Sequence, residues 1–265
     1  FMAPNIELIG LGIKDLVEKD PEWVLQWLSQ LGLDGIEGAA SYAEKLGIDE
    51  AELKRKLDGL GLAVPCQGGI KYGKSDDEIR ESIATAKTMG APFVVDYFAP
   101  FNDKDEILEY AKYYEHAGRI CADAGVGLLY HNHNQEMARF DGKRGIEILL
   151  ENTDPTLVNV ELDVGWVAFG GGNPVELIEA YPDRFPVLHM KDFVSLMPDA
   201  PDPGVARKEA VFTEVGDGVV DIEGVVAAAK QAGVRWLTIE QDRLNKLGPK
   251  ESLERSFANL KALVG

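Results

Sequence analysis

Short apolar runs alternate with longer amphipathic segments along the whole of this chain, and the alternation repeats eight times. Residues 6–12 read as a first strand. From about Asp20, with Pro21 in the first turn, Trp23, Val24, Trp27, Leu28 and Leu31 recur at helical spacing. A very short second strand over 32–37 precedes a helix over 48–60 that Gly61 closes. Residues 62–67 form the third strand and run into Gly68 and Gly69, and Ser75 with Glu78 has capping-box spacing for a helix reaching Met89 and Gly90. A fourth strand over 92–98 leads into the longest helix, 103–124. The second half keeps the rhythm with strands over 126–133, 157–163, 186–192 and 236–241. Helices follow near 143–151, from Asn173-Pro174, near 222–231 and over 249–263.

Eight strand–helix units with no dividing linker predict a single (β/α)8 TIM barrel over residues 1–265. The rival, a doubly wound open sheet, needs fewer strands and an interrupted order. The longest connection, 193–219, holds Pro198, Pro201 and Pro203, and loops of that length serve as lids, subunit contacts or mobile segments.

The chain carries 45 acidic against 27 basic residues, a formal charge of −18. Nucleic acid or an anionic membrane needs a basic face to displace counterions, so the charge argues against both; it also disfavours a strongly anionic substrate unless a local cation overrides it. Cys66 and Cys121 are far apart and form no zinc or disulfide pattern, which fits reduced thiols and a cytoplasmic setting. No basic-then-apolar leader and no apolar run of about 18 residues appears, so neither export nor a membrane span is expected. Phe1 ahead of Met2 reads as a cloning remnant.

In such a barrel the reactive groups stand at the C-terminal ends of the strands, because packed side chains fill the lower core. Three of the four histidines, His131, His133 and His189, fall at predicted strand ends, whereas His116 lies mid-helix and reads as a surface residue. Alternation puts Asn159, Glu161 and Asp163 on the inward face of one strand, His131 with His133 on another, His189 with Lys191 on a third, and Thr238, Glu240 and Asp242 on a fourth. Asp192 should face away or cap its loop. Buried charges need compensation, so a divalent ion held by carboxylates and imidazoles is one reading and a salt-bridge network among Glu161, Lys191 and Asp192 the other. Gly170-Gly171-Gly172-Asn173 before Pro174 reads as a tight turn and N-cap rather than a phosphate cradle.

Tyr130-His131-Asn132-His133 with Glu136, Glu161-Leu162-Asp163-Val164-Gly165-Trp166, Leu188-His189-Met190-Lys191-Asp192, Gly216-Asp217-Gly218 and Ile239-Glu240-Gln241-Asp242 together resemble the xylose isomerase-like TIM-barrel superfamily. The resemblance is nearest to its sugar phosphate isomerase/epimerase branch, inosose dehydratase-like proteins included, and runs the length of the chain, since residues 31–37 resemble that superfamily's second strand. It implies one divalent ion, manganese, cobalt, magnesium or zinc, on a Glu, Asp, His, Glu set. Asp163, His189 and Glu240 match the last three; His131 takes the first place, where many relatives have Glu, with Glu136 as the competing ligand. Trp166 stands where epimerase relatives carry a substrate-binding histidine, and is expected to wall the pocket and stack on a sugar face. Gln67, Glu37 and Glu161 are the other expected substrate contacts.

The chemistry that the resemblance implies is metal-assisted removal of a proton beside a carbonyl through an enediolate, with Glu240 working with Glu136 or His133 on opposite faces and Lys191 steadying a hydroxyl or oxyanion. The expected activity is isomerase, epimerase or dehydratase on a keto sugar or cyclitol. A lyase or hydratase acting on 3-keto glycosides and a non-catalytic sugar-binding barrel are the alternatives, and self-association into a homo-oligomer stays open. A DNA-repair endonuclease of the same superfamily needs more histidines than this chain has.

Overall fold

The computed structural model describes residues 3–198, 200 and 202–265; the expectations for Phe1, Met2 and Pro201 lie outside them. Eight parallel strands, β1 (Asn5–Ile9), β2 (Gly35–Glu37), β3 (Cys66–Gly68), β4 (Phe93–Asp96), β5 (Gly127–His131), β6 (Val158–Asp163), β7 (Val187–Met190) and β8 (Trp236–Ile239), form one sheet. Its order is β2-β1-β8-β7-β6-β5-β4-β3. Between the two ends a Gly35/Ala63 bridge, with Ile36 N–H donating to Ala63 O and Gly38 N–H to Cys66 O, both at 2.9 Å, draws the sheet into a TIM barrel.

The helices begin and end where local chemistry dictates. Ser75 and Glu78 make the expected reciprocal cap, and Gly61 and Gly90 end their helices in the left-handed conformation that a side chain disfavours. Asn173 caps helix Pro174–Ala180 through Val175 and Glu176 N–H, so the turn-and-cap reading of the glycine run holds.

Two apolar clusters separate the layers. The larger, between sheet and helices, takes the outward residues Val158, Val160 and Leu162 of β6. The smaller, Cys66, Phe93, Val95, Leu129 and Val187, plugs the lower barrel, which leaves the upper interior to polar groups. Burying a leucine-sized side chain contributes about 1.5–3 kcal/mol, so this outward stripe fixes which face of β6 points inward.

Several strands stop earlier than the apolar runs predict. β1 ends at Ile9, where Gly10–Ile13 turns into a 3-10 helix that buries Ile13. β5, β7 and β8 end at His131, Met190 and Ile239, so His133, Lys191 and Glu240 stand just past the ladder. The long connection after β7 is largely ordered: Asp192–Phe193 pairs antiparallel with Phe212–Thr213, and Pro203–Glu209 is helical. A helix that the hydrophobic pattern hides, Val164–Phe169, follows β6 directly. Its six residues are all buried, so it has no polar face for periodicity to detect.

Candidate functional site

Strand register assembles the site. His131 pairs with Glu161 across β5 and β6, Asp163 with His189 across β6 and β7, and Thr238 with His189 across β7 and β8. One donor atom each from His131, Asp163, His189 and Glu240 therefore lies within 4.8 Å of the other three. Four donors about 2 Å from one tetrahedral ion stand roughly 3.3 Å apart, so this set fits a divalent cation with small adjustments. Asp163 is prepared for that role: its Oδ1 accepts from Trp166 N–H at 2.7 Å as the cap of helix Val164–Phe169, which leaves Oδ2 free of hydrogen bonds. Oδ2 is in ion-pair range of Lys191 Nζ, 3.1 Å, without hydrogen-bond alignment.

The histidine rings are held from below. His131 Nδ1 lies 3.1 Å from Glu161 Oε2, and its Nε2 faces Asp163 Oδ2 at 3.8 Å. His189 Nδ1 is 2.9 Å from Glu240 Oε2, while its Nε2 is 2.8 Å from Glu37 and 3.2 Å from Glu161. Lys191 Nζ reaches Glu240 at 2.9 Å and Asp242 at 2.7 Å, and sits 5.0 Å from the centre of the Trp166 ring. The cationic partner of the site is thus Lys191 with Asp163, Glu240 and Asp242. Asp192 takes no part, as its predicted outward orientation requires: its carboxylate accepts from the N–H groups of Phe193, Gly216, Gly218 and Val220 at 2.9–3.0 Å.

Burial governs the protonation states. It pushes His131 well below the ordinary histidine range, helped by His189, and lowers His133 to about 3. Burial also disfavours charge on His189, but Glu161 and Glu37 outweigh it and carry that ring well above the usual range. Burial raises Glu161 to about 7, with Glu37 adding to it, and Asp163 to about 6 against the pull of Lys191. Glu240 is buried too, yet Lys191 and His189 overcome the desolvation and hold it well below the usual carboxylate value.

A cavity of about 430 Å³ opens over the ends of β1 to β4, lined among others by Leu11, Lys14, Glu37, Tyr42, Gln67 and Tyr97. Glu37 connects it to the donor cluster, because one carboxylate oxygen accepts from Tyr97 Oη at 2.8 Å and the other faces His189. A second cavity, also about 430 Å³, lies between Phe98, Gln135 and the helix carrying Arg207. His133 stands between Phe98 and Trp166, its Nδ1 without a partner.

Three expectations need correction. Glu136 does not reach the donors: its carboxylate takes the Tyr130 hydroxyl and, at 2.9 Å, the His133 N–H, and Tyr130 packs outward on Tyr114 and Phe101. His131 therefore completes the set of four, and Glu136 ties down the loop after β5. Trp166 is fully buried, with its ring among Phe169, Phe193 and Phe212, so it offers no face to a sugar. The ring follows the apolar helix start after Asp163 and fills the core under the Asp192–Phe193 ribbon. Glu161 is also sealed, at 0% exposure, so it touches the histidines and not a substrate, whereas Glu37 and Gln67 do line the cavity.

Sequence reading misses Glu7 and Tyr97. Glu7 is buried with Thr238 Oγ1 donating to it at 2.9 Å, and it sits between Ile6 and Leu8, where alternation alone points inward. Tyr97 follows Phe93 and Val95 on the same inward face. His116 is the exposed histidine, 2.7 Å from Asp76, and both cysteines are free and buried.

Comparison with known proteins adds a lineage. Residues 25–263 match the family model described as a xylose isomerase-like TIM barrel. An inosose dehydratase of Geobacillus kaustophilus is 31% identical over 133 residues, which cover 48% of this chain and 42% of that protein. The match thus spans less than half the length of that curated relative. A sugar phosphate isomerase/epimerase of Parabacteroides distasonis superposes with a TM-score of 0.81 at 23% identity, covering 99% and 97% of the two chains. A structure of the IOLI protein with a bound zinc atom superposes with a TM-score of 0.73 at 17% identity, covering 98% of each.

Proposed function

The chain belongs to the xylose isomerase-like TIM barrel family, and on that premise we propose that it is a divalent-metal-dependent enzyme acting on a keto sugar or cyclitol by removing a proton beside a carbonyl. One observation carries the reading: four donors from adjacent strand ends, His131, Asp163, His189 and Glu240, converge in a site where unpaired charge is expensive. The zinc of the IOLI structure and the activity of the inosose dehydratase relative support it from outside the chain.

When bound, the ion would hold the carbonyl and an adjacent hydroxyl and stabilise negative charge on oxygen during enolisation. The protein's own groups supply the rest. His133, between Phe98 and Trp166, has an unpartnered Nδ1, which makes it the candidate for taking a proton from carbon. Glu240, kept ionised by Lys191 and His189, is the second group that would move the proton. Lys191, sealed among Asp163, Glu240 and Asp242, would act through Glu240 by keeping it ionised, and the cavity beside Glu37 and Gln67 takes the remainder of the molecule.

Among enolising reactions, loss of water fits better than epimerisation. An epimerase that passes a proton across a sugar plane calls for two opposed carboxylates, whereas here His131 fills one of those positions and Glu136 faces away. A lyase acting on 3-keto glycosides uses the same first step and is the second reading, favoured by the cavity of about 430 Å³, which leaves room beyond one ring.

The test is exchange of the substrate's carbon-bound proton in deuterated water, measured by NMR over a panel of inososes, keto sugars and 3-keto glycosides, with and without manganese, cobalt, magnesium or zinc. Metal-dependent exchange that His189→Ala abolishes together with metal content is expected. Exchange that survives chelation, or a His189→Ala protein with normal metal content and turnover, refutes the assignment.

A further inference from the structure

We propose that Glu161 is a positioning residue whose single oxygen, Oε2, sets the tautomer and ring orientation of His131 and shares with Glu37 the orienting of His189. The inference rests on the metal reading above but concerns a residue outside the four donors. Glu161 Oε2 lies 3.1 Å from His131 Nδ1 and 3.2 Å from His189 Nε2. Glu161 Oε1 has no partner and is the oxygen free to carry the carboxyl proton, so Oε2 accepts in either state and the His131 Nδ1 facing it carries hydrogen. The opposite nitrogens, His131 Nε2 and His189 Nδ1, are then the ones turned to the donor cluster, where they face Asp163 at 3.8 Å and Glu240 at 2.9 Å.

Backbone register makes the arrangement rigid. Glu161 stands opposite His131, and Asp163, two residues on along the same inward face, stands opposite His189. β6 thus contributes one donor and, one layer below, the group that aims its neighbours' donors. Glu161 has no exposed surface, so direct contact with substrate does not explain a carboxylate there. Glu161 makes no ion pair with Lys191, whose partners are Asp163, Glu240 and Asp242; the groups it faces are the two histidine rings.

The two rings are held unequally. His189 Nε2 also faces Glu37 Oε2 at 2.8 Å, whereas no second carboxylate faces His131 Nδ1 among the described residues. Removing Glu161 should therefore free His131 and leave His189 largely in place. Groups that orient metal-bound histidines in this way change metal affinity by about 10–100-fold when removed.

Glu161→Gln, Glu161→Ala and Glu37→Gln would be compared with the parent protein in two measurements. Zinc and cobalt affinity is read by chelator competition, and imidazole ¹⁵N shifts report the tautomers in both metal-free and zinc-loaded protein. Expected are about tenfold weaker binding for Glu161→Gln, about a hundredfold for Glu161→Ala, and a smaller loss for Glu37→Gln. His131 should be the Nδ1–H tautomer in the parent and a mixture in both Glu161 variants. Unchanged His131 shifts in folded Glu161→Ala protein overturn the proposal, as does zinc affinity within twofold of the parent. If the parent binds no ion, the metal reading fails by itself, and the metal-free ¹⁵N spectra still decide whether Glu161 sets the tautomer.

Discussion

Replacing Lys191 with Met tests the electrostatics on which the site depends. The side chain is 1% exposed, and its Nζ lies 3.1, 2.9 and 2.7 Å from Asp163, Glu240 and Asp242. At an effective dielectric constant near 20, a unit pair about 3 Å apart is worth roughly 5 kcal/mol, most of which the desolvation of the two ions offsets. Methionine keeps most of the volume, so the loss comes from carboxylates left buried without their cation, typically about 3–5 kcal/mol. For a chain of 265 residues, at about 2.1 cal/mol/K of unfolding entropy per residue, that is a fall in Tm of roughly 5–9 °C. Burial opposes the lysine's charge, but Asp163, Glu240 and Asp242 hold its pKa above the unfolded value. Its contribution is therefore fully present below the unfolded lysine pKa, so the deficit should be the same at pH 7 and pH 8.5. It should shrink towards pH 5, where Asp163, raised to about 6, takes a proton. Differential scanning calorimetry of metal-free protein at three pH values measures this, and saturating zinc should restore part of the loss by neutralising Asp163 and Glu240. A Tm within 1 °C of the parent at pH 7 would refute the reasoning, because it means the surrounding acids are already protonated.

Glu136→Gln addresses the loop after β5. Burial raises the Glu136 pKa to about 7, so stability is fully present below the unfolded value near 4.5 and is lost as pH rises through 7. Urea titrations should show the parent losing about 3 kcal/mol more than the variant between pH 4.5 and pH 8, and parallel pH profiles count against a buried, strained carboxylate. Gly218→Ala probes the Asp192 knot. An added Cβ would run into Asp192 Oδ1 and the Phe193 carbonyl, at a cost of at least about 2 kcal/mol; a thermal midpoint unchanged within 1 °C shows that the knot yields.

Much of this protein follows from one-dimensional pattern. Apolar runs separated by amphipathic stretches give eight strands inside a layer of helices, and the period of two along Val158–Asp163 already assigns Glu161 and Asp163 to the interior. His131, Asp163, His189 and Glu240 were legible as candidates because polar residues at the ends of apolar strands have few bland explanations. Tertiary structure decided what alternation cannot express. Register, which no single strand contains, put His131 against Glu161 and Asp163 against His189. Glu136 is near His131 in sequence, but a tight turn swings it outward to Tyr130. Trp166 lost its expected contact with substrate because three phenylalanines from helix Val164–Phe169 and the ribbon after β7 close around it. The sequence determines which residues must leave water, since that depends on each side chain and its immediate period. Which of them meet is set by strand order and closure of the barrel, a property of the assembled sheet alone.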